Sequence, residues 1–87
     1  MPPSIITVDV REDIRRGREP FPRIMATVAR LRANEQLRVL APFEPVPLIR
    51  VLALQGFTAT VTAIEDGGFA TLFVRGTPTV PASDETS

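Results

Sequence analysis

The sequence predicts an α/β two-layer sandwich: elements in the order β-α-β-α-β-β, a four-stranded mixed sheet ordered 1-2-4-3, and two helices on one face. Three observations predict it. Two strand-like runs, the first rich in β-branched residues and the second short and mostly apolar, are each followed by an amphipathic segment at helical spacing. Both of those segments open on the same four-residue pattern, Glu-Pro-x-Pro, at 19–22 and 44–47. The chain then closes on two alternating runs joined by EDGG, the composition of a hairpin.

Ile5 to Val10 (IITVDV) alternates, with Ile6, Val8 and Val10 on one face, and reads as the first strand. Arg11 to Arg18 is charged and contains the breaker Gly17, which predicts a loop. From Phe21 the apolar positions are Phe21, Ile24, Met25, Val28 and Leu31, the stripe of an amphipathic helix, with a stop at Asn34. Leu37 to Ala41 is a short apolar strand. A second helix covers Pro45 to Gln55, turning Leu48, Ile49, Val51 and Leu52 inward, with Gly56 just past its end. Phe57 to Ile64 alternates Phe57, Ala59, Val61 and Ala63 against three threonines, and Phe69 to Arg75 is its return strand. With Asp66-Gly67 as a two-residue loop, Ala70, Leu72 and Val74 fall on the core face. Thr71 and Phe73 then lie outside, paired with Thr62 and Thr60.

Short β-α-β connections require parallel strands with right-handed crossovers, so both helices share one face and both Glu-Pro-x-Pro corners share one sheet edge. Residues 1–75 form a single domain. The tail 76–87 (GTPTVPASDETS) has no periodicity and is expected to be disordered.

Composition excludes several chemistries. The 87 residues contain no Cys and no His, so disulfides, thiol or persulfide chemistry, zinc or haem ligation and imidazole base catalysis have no residue to carry them; no metal or cofactor is expected. No leader-like N-terminus and no long apolar run is present, so the expectation is a cytoplasmic protein of bacterial type with no membrane association. Net charge is zero, yet nine of the ten arginines lie between Arg11 and Arg50 against five acids, a net +4 on that segment.

The repeated corner has a local explanation. First-turn amides have no intrahelical acceptor, so Pro costs nothing there, presets φ and fixes the direction in which the helix starts. A Glu just before it suits the positive end of the helix dipole. Two rigidly punctuated helix starts account for the motif without any function. Its position adds more, because both corners sit at the carboxyl edge of parallel strands, where open α/β folds place ligands. Arg15, Arg16, Arg18, Glu19, Pro20, Phe21, Pro22, Arg23, Phe43 and Glu44 are therefore the candidate binding residues. Prolines delete donors at both helix starts, which disfavours a phosphate cradle and favours a protein-binding surface.

A strand ending in Asp9-Val10-Arg11, a charged loop, Glu19-Pro20-Phe21-Pro22 and later Glu44-Pro45-Val46-Pro47-Leu48 resembles the TusA-like (SirA-like) family of small sulfur-relay proteins. The resemblance is closest to a branch catalogued as a domain of unknown function, and it covers about residues 5–75. In the sulfur carriers the first corner reads Cys-Pro-x-Pro and the cysteine carries a persulfide. Glu19 occupies that position here, so persulfide transfer is not carried over. Phe21 and Phe43 stand where some members of the branch have histidines. The resemblance implies the fold and an accessory, non-catalytic module.

Three functions are weighed. The first is a protein-interaction module, acting through the proline corners or, as a homodimer, through an outer sheet face of Leu40, Ile64, Phe69 and Phe73. The second is RNA or anion binding through Arg11–Arg23, in a fold similar to the C-terminal domain of translation initiation factor three. A neutral chain without Tyr or Trp argues against nucleic acid. The third is a small enzyme using carboxylates at the Glu19/Glu44 edge; without histidine, a solvated cluster of ion pairs is the better account of these acids, so no enzyme is expected.

Overall fold

A computed structural model describes residues 4–65 and 67–75. The predicted disordered tail 76–87 lies outside the described residues. Chain order is β1 (Ser4–Asp9), α1 (Arg11–Arg15), α2 (Phe21–Arg30), β2 (Glu35–Ala41), α3 (Val46–Ala53), β3 (Phe57–Ala63) and β4 (Phe69–Arg75). The four strands form one sheet in the order β1-β2-β4-β3. β1 and β2 run parallel, and β4 is antiparallel to both of its neighbours. Mixed topology and strand order are as the sequence predicts.

Register lines the core face up in rows across the sheet. Ile6, Leu37, Phe73 and Ala59 form one row, and Val8, Val39, Thr71 and Val61 the next. Ile24 and Val28 of α2 and Leu48 and Leu52 of α3 are buried in the same cluster as Leu37, Val39 and Phe73. This is the amphipathic stripe read from the sequence, with Phe21, Met25, Leu31 and Ile49 packed at its margin.

Three expectations are corrected, the third being the end of α2. The first is α1, which stands where a loop over Arg11–Arg18 is predicted. The Asp9 carboxylate accepts the Arg11 backbone N–H at 3.0 Å, an Asx-type turn that satisfies the first helical amide from the residue before the cap position. Glu12 then pairs with Arg15 at i+3 and Arg16 at i+4. Ile14 packs against the core, and Gly17, at φ 73°, ends the turn. The sheet therefore carries three helices rather than two. The second is the hairpin. Ile64 N–H donates to Gly68 O at 3.0 Å, while Gly67, at φ 89°, donates back to Ile64 O at 3.1 Å. This is a three-residue loop with a glycine in the left-handed region, where the sequence predicts a two-residue one. One added loop residue shifts β4 by one and turns each of its side chains to the other face. Val61 faces Thr71 and Ala59 faces Phe73, so Thr71 and Phe73 are fully buried, while Ala70, Leu72 and Val74 look outward.

The same shift revises the predicted outer-face patch. Phe73 lies in the core, Phe69 lies on the core face in the row of Ala41 and Ala63, and Ile64 sits in the hairpin turn. Only Leu40 of the four remains on the outer face. The predicted helix stop at Asn34 also moves: α2 ends at Arg30, and the Asn34 carbonyl instead accepts the Ser4 N–H at 3.2 Å.

Candidate functional site

The site is assembled where β1 and β2 end. The chain leaves β1 at Val10 into α1 and leaves β2 at Ala41 into the second proline corner. Pro20 and Pro45 are the residues just before α2 and α3, with φ of −83° and −84°, and Pro22 and Pro47 follow inside the first turns. Those φ values match the constraint of the pyrrolidine ring, so both helix starts are preset by sequence.

Between these corners lies a cleft of about 370 Å³. Its walls are Val10 and Ile14 from the β1–α1 segment, Pro20, Phe21 and Ile24 from α2, Ala41 and Phe43 after β2, and Pro45, Pro47 and Leu48 at α3. Val39 of β2 and Gly17, Arg18 and Glu19 complete it. Phe43 is 50% exposed, and Phe21 is half-buried against the core. Arg18 and Glu19 are the ionisable groups of this lining, and it contains no Ser, Thr, Lys, His or Cys. Such a cavity desolvates an apolar group well and offers little for bond-making chemistry.

A larger opening of about 500 Å³ lies at the same sheet edge, lined by Asp9, Arg11, Glu12, Arg15, Pro42, Gly67 and Gly68. It is walled by charges that pair with one another, so a ligand entering it would have to compete with those pairs. The smaller, apolar cleft is the better candidate site.

The arginines that the sequence places at this edge are held by neighbouring acids. Arg11 reaches the Asp9 carboxylate at 2.8 Å, and Arg16 reaches Glu12 at 2.6 Å. Asp13, whose side chain is 16% exposed, takes Arg23 at 2.7 Å and Arg18 at 3.9 Å. Arg23 also donates to the Asp9 carbonyl at 3.1 Å, which ties the first turn of α2 back to the end of β1. Hydrogen bonding from the Arg11 side chain holds the Asp9 carboxyl below the ordinary carboxylate range, helped by the Arg11 amide and the charge of Arg23. Asp9, Glu12 and Asp13 therefore neutralise the arginines at this edge locally, and Asp9, which lies outside the +4 segment, lowers its net charge by one. Among the described residues, no three acids converge in a way that would hold a metal ion.

The structure thus brings Arg18, Glu19, Pro20, Phe21 and Phe43 to one cleft. Arg15 belongs to the charged opening instead, Arg16 is exposed beside Glu12, and Arg23 is spent on Asp13. Pro22 borders a shallow depression with Glu19, Phe21 and Met25. Glu44 is exposed between two lining residues without lining the cleft itself. Of the lining residues outside the predicted set, Ile14 is the one carried by α1, which sequence reading takes for a loop. The signal for it was the Glu12–Arg15/Arg16 spacing, which supports a helical turn and places Ile14 on its inner side.

Fold and site define a small α/β two-layer domain with a proline-framed apolar cleft at the carboxyl edge of its parallel strands. The chain belongs to the family described as "Uncharacterized conserved protein (DUF2249)", whose family model matches residues 7–75. No curated protein and no solved structure matches it.

Proposed function

We propose that the chain is a non-catalytic, TusA-like accessory module of the bacterial cytoplasm that binds another protein at the proline-framed cleft. One observation carries the reading. Both Glu-Pro-x-Pro corners, far apart in sequence, wall a single apolar cavity with the half-exposed Phe43 at its mouth. An exposed aromatic beside a preformed apolar recess is the usual anatomy of an anchor-accepting surface. Where the sulfur carriers hold a reactive cysteine, Glu19 stands at the rim, and the lining contains no cysteine to take over that role.

Pull-down from native lysate tests this, comparing the wild type with Phe43→Ala and with an Arg18→Ala, Glu19→Ala double variant. A partner retained by the wild type and lost from both variants is the expected result. Identical catches from all three proteins would place function elsewhere. Phe43 is exposed enough for its truncation to leave the fold intact, which circular dichroism checks.

A further inference from the structure

The sheet has two edges, and they differ. At the β1 edge, Asp9 carries charge and its carbonyl is capped by Arg23 at 3.1 Å. Among the described residues the β3 edge has no such protection, apart from the Arg75 guanidinium lying over the Phe57 ring at 4.9 Å at one end. From Val51 to Ile64 the chain has no charged residue, and Phe57–Ala63 (FTATVTA) contains no proline. Its register against β4 is unbroken over all seven residues, so no bulge turns the edge aside. Soluble proteins usually blunt an edge with charge, proline or a bulge, and a seven-residue strand lacking all three is built to be paired.

The phase of the ladder decides which groups are open. Ile64 N–H donates to Gly68 O, so Thr62, Thr60 and Thr58 exchange their backbone hydrogen bonds with β4. Phe57, Ala59, Val61 and Ala63 consequently point their N–H and C=O groups away from the sheet. The side chains along this strand are nearly palindromic. Antiparallel pairing of two copies about Thr60 sets Thr60 against Thr60, Thr58 against Thr62, Ala59 against Val61 and Phe57 against Ala63. Threonine meets threonine on the outer face, a favourable cross-strand pairing, and on the core face a small residue meets a larger one without a clash. Every residue with open peptide groups then lies opposite another such residue, giving about eight backbone hydrogen bonds across the pair.

The geometry points to β3 as a homodimerisation edge, where a second copy of this chain adds antiparallel about a two-fold axis at Thr60. The axis stands perpendicular to the sheet, so the two four-stranded sheets become one and both helical layers stay on the same face. A second copy fits better than the chain's own tail, since Pro78 and Pro81 cannot donate to a ladder. This surface is separate from the cleft, so either reading stands or falls without the other.

Sedimentation velocity on the full chain over about 10–100 µM, where small interfaces associate, is the first test. The wild type is expected as a dimer that dissociates on dilution. Thr60→Lys is expected to weaken association at least about tenfold, because it sets like charges directly opposite each other. Thr60 is exposed, so its variant keeps the monomer's fold, as circular dichroism will show. The chain has no cysteine, which makes cross-linking a clean second measurement. Thr60→Cys places two sulfurs on a non-hydrogen-bonded pair, within disulfide reach, and should oxidise to a covalent dimer. Leu72→Cys should not, since in this arrangement the two copies of that residue lie about 14 Å apart, three strand spacings. A wild type that stays monomeric throughout overturns the proposal. So does a dimer indifferent to Thr60→Lys, or one that cross-links through Leu72→Cys.

Discussion

Thr71→Val should make this protein more stable. Thr71 is fully buried on the core face, opposite Val39 on one side and Val61 on the other, and its Oγ1 has no hydrogen-bond partner. A buried hydroxyl without a partner loses its hydration on folding, at a cost of about 1–3 kcal/mol. Valine keeps the branched shape and strand preference of threonine and puts a methyl group where the hydroxyl stood. It also adds apolar contact to a row that already consists of Val8, Val39 and Val61. A gain of about 1–2 kcal/mol follows, and a domain of this size gains roughly 4–8 °C in Tm per kcal/mol. Urea melts followed by far-UV circular dichroism measure it, with an unchanged slope showing that the same surface is exposed on unfolding. A loss of stability would refute the reasoning, because it would mean that the hydroxyl is hydrogen-bonded. A change within about 0.5 kcal/mol would refute the register, because that is how an exposed strand position behaves.

Phe73→Ala should cost about 3–5 kcal/mol, as for a fully buried aromatic, and so take a large share of the stability of a small domain. Gel filtration of the folded fraction against a urea melt separates this from loss of an interface; normal stability with altered oligomeric state would contradict the core placement. Asp9→Asn bears on acid stability. The folded carboxyl has a lowered pKa, chiefly through Arg11, so the unfolded chain binds protons more readily. The stabilisation is present above the ordinary Asp value of about 4 and is lost as pH falls through the lowered folded value. Asp9 is partly exposed, which limits its effect to about 1 kcal/mol or less. The variant should show a flatter loss of stability between about pH 5 and 2, and superimposable acid limbs would rule out this role.

Much of the molecule was legible because its signals are local. The apolar stripe from Phe21 to Leu31, the alternation of β3 and the prolines at 20, 22, 45 and 47 each constrain their own backbone, whatever surrounds them. Short β-α-β spacing then leaves few topologies, and the order 1-2-4-3 follows from it. The candidate site was half legible for the same reason. Two proline corners after parallel strands must share an edge, and Glu19, Pro20, Phe21 and Phe43 do line one cleft.

What tertiary structure decided was everything that turned on one residue or on a distant partner. EDGG suits a two-residue or a three-residue loop, and no local propensity chooses between them. The choice sets which face of β4 meets the helices, so it buried Phe73 and Thr71 and turned Leu72 outward. The helix α1 is one turn long, too short to persist on its own propensity. It exists because Asp9 holds its start and Asp13 joins it to Arg23. Those ion pairs also engaged the five arginines between Arg11 and Arg23 with neighbouring acids, leaving Arg18 at the cleft and Arg11 and Arg15 at the charged opening. Backbone restrictions are written residue by residue in the sequence. Register and charge pairing depend on which groups the folded chain brings together.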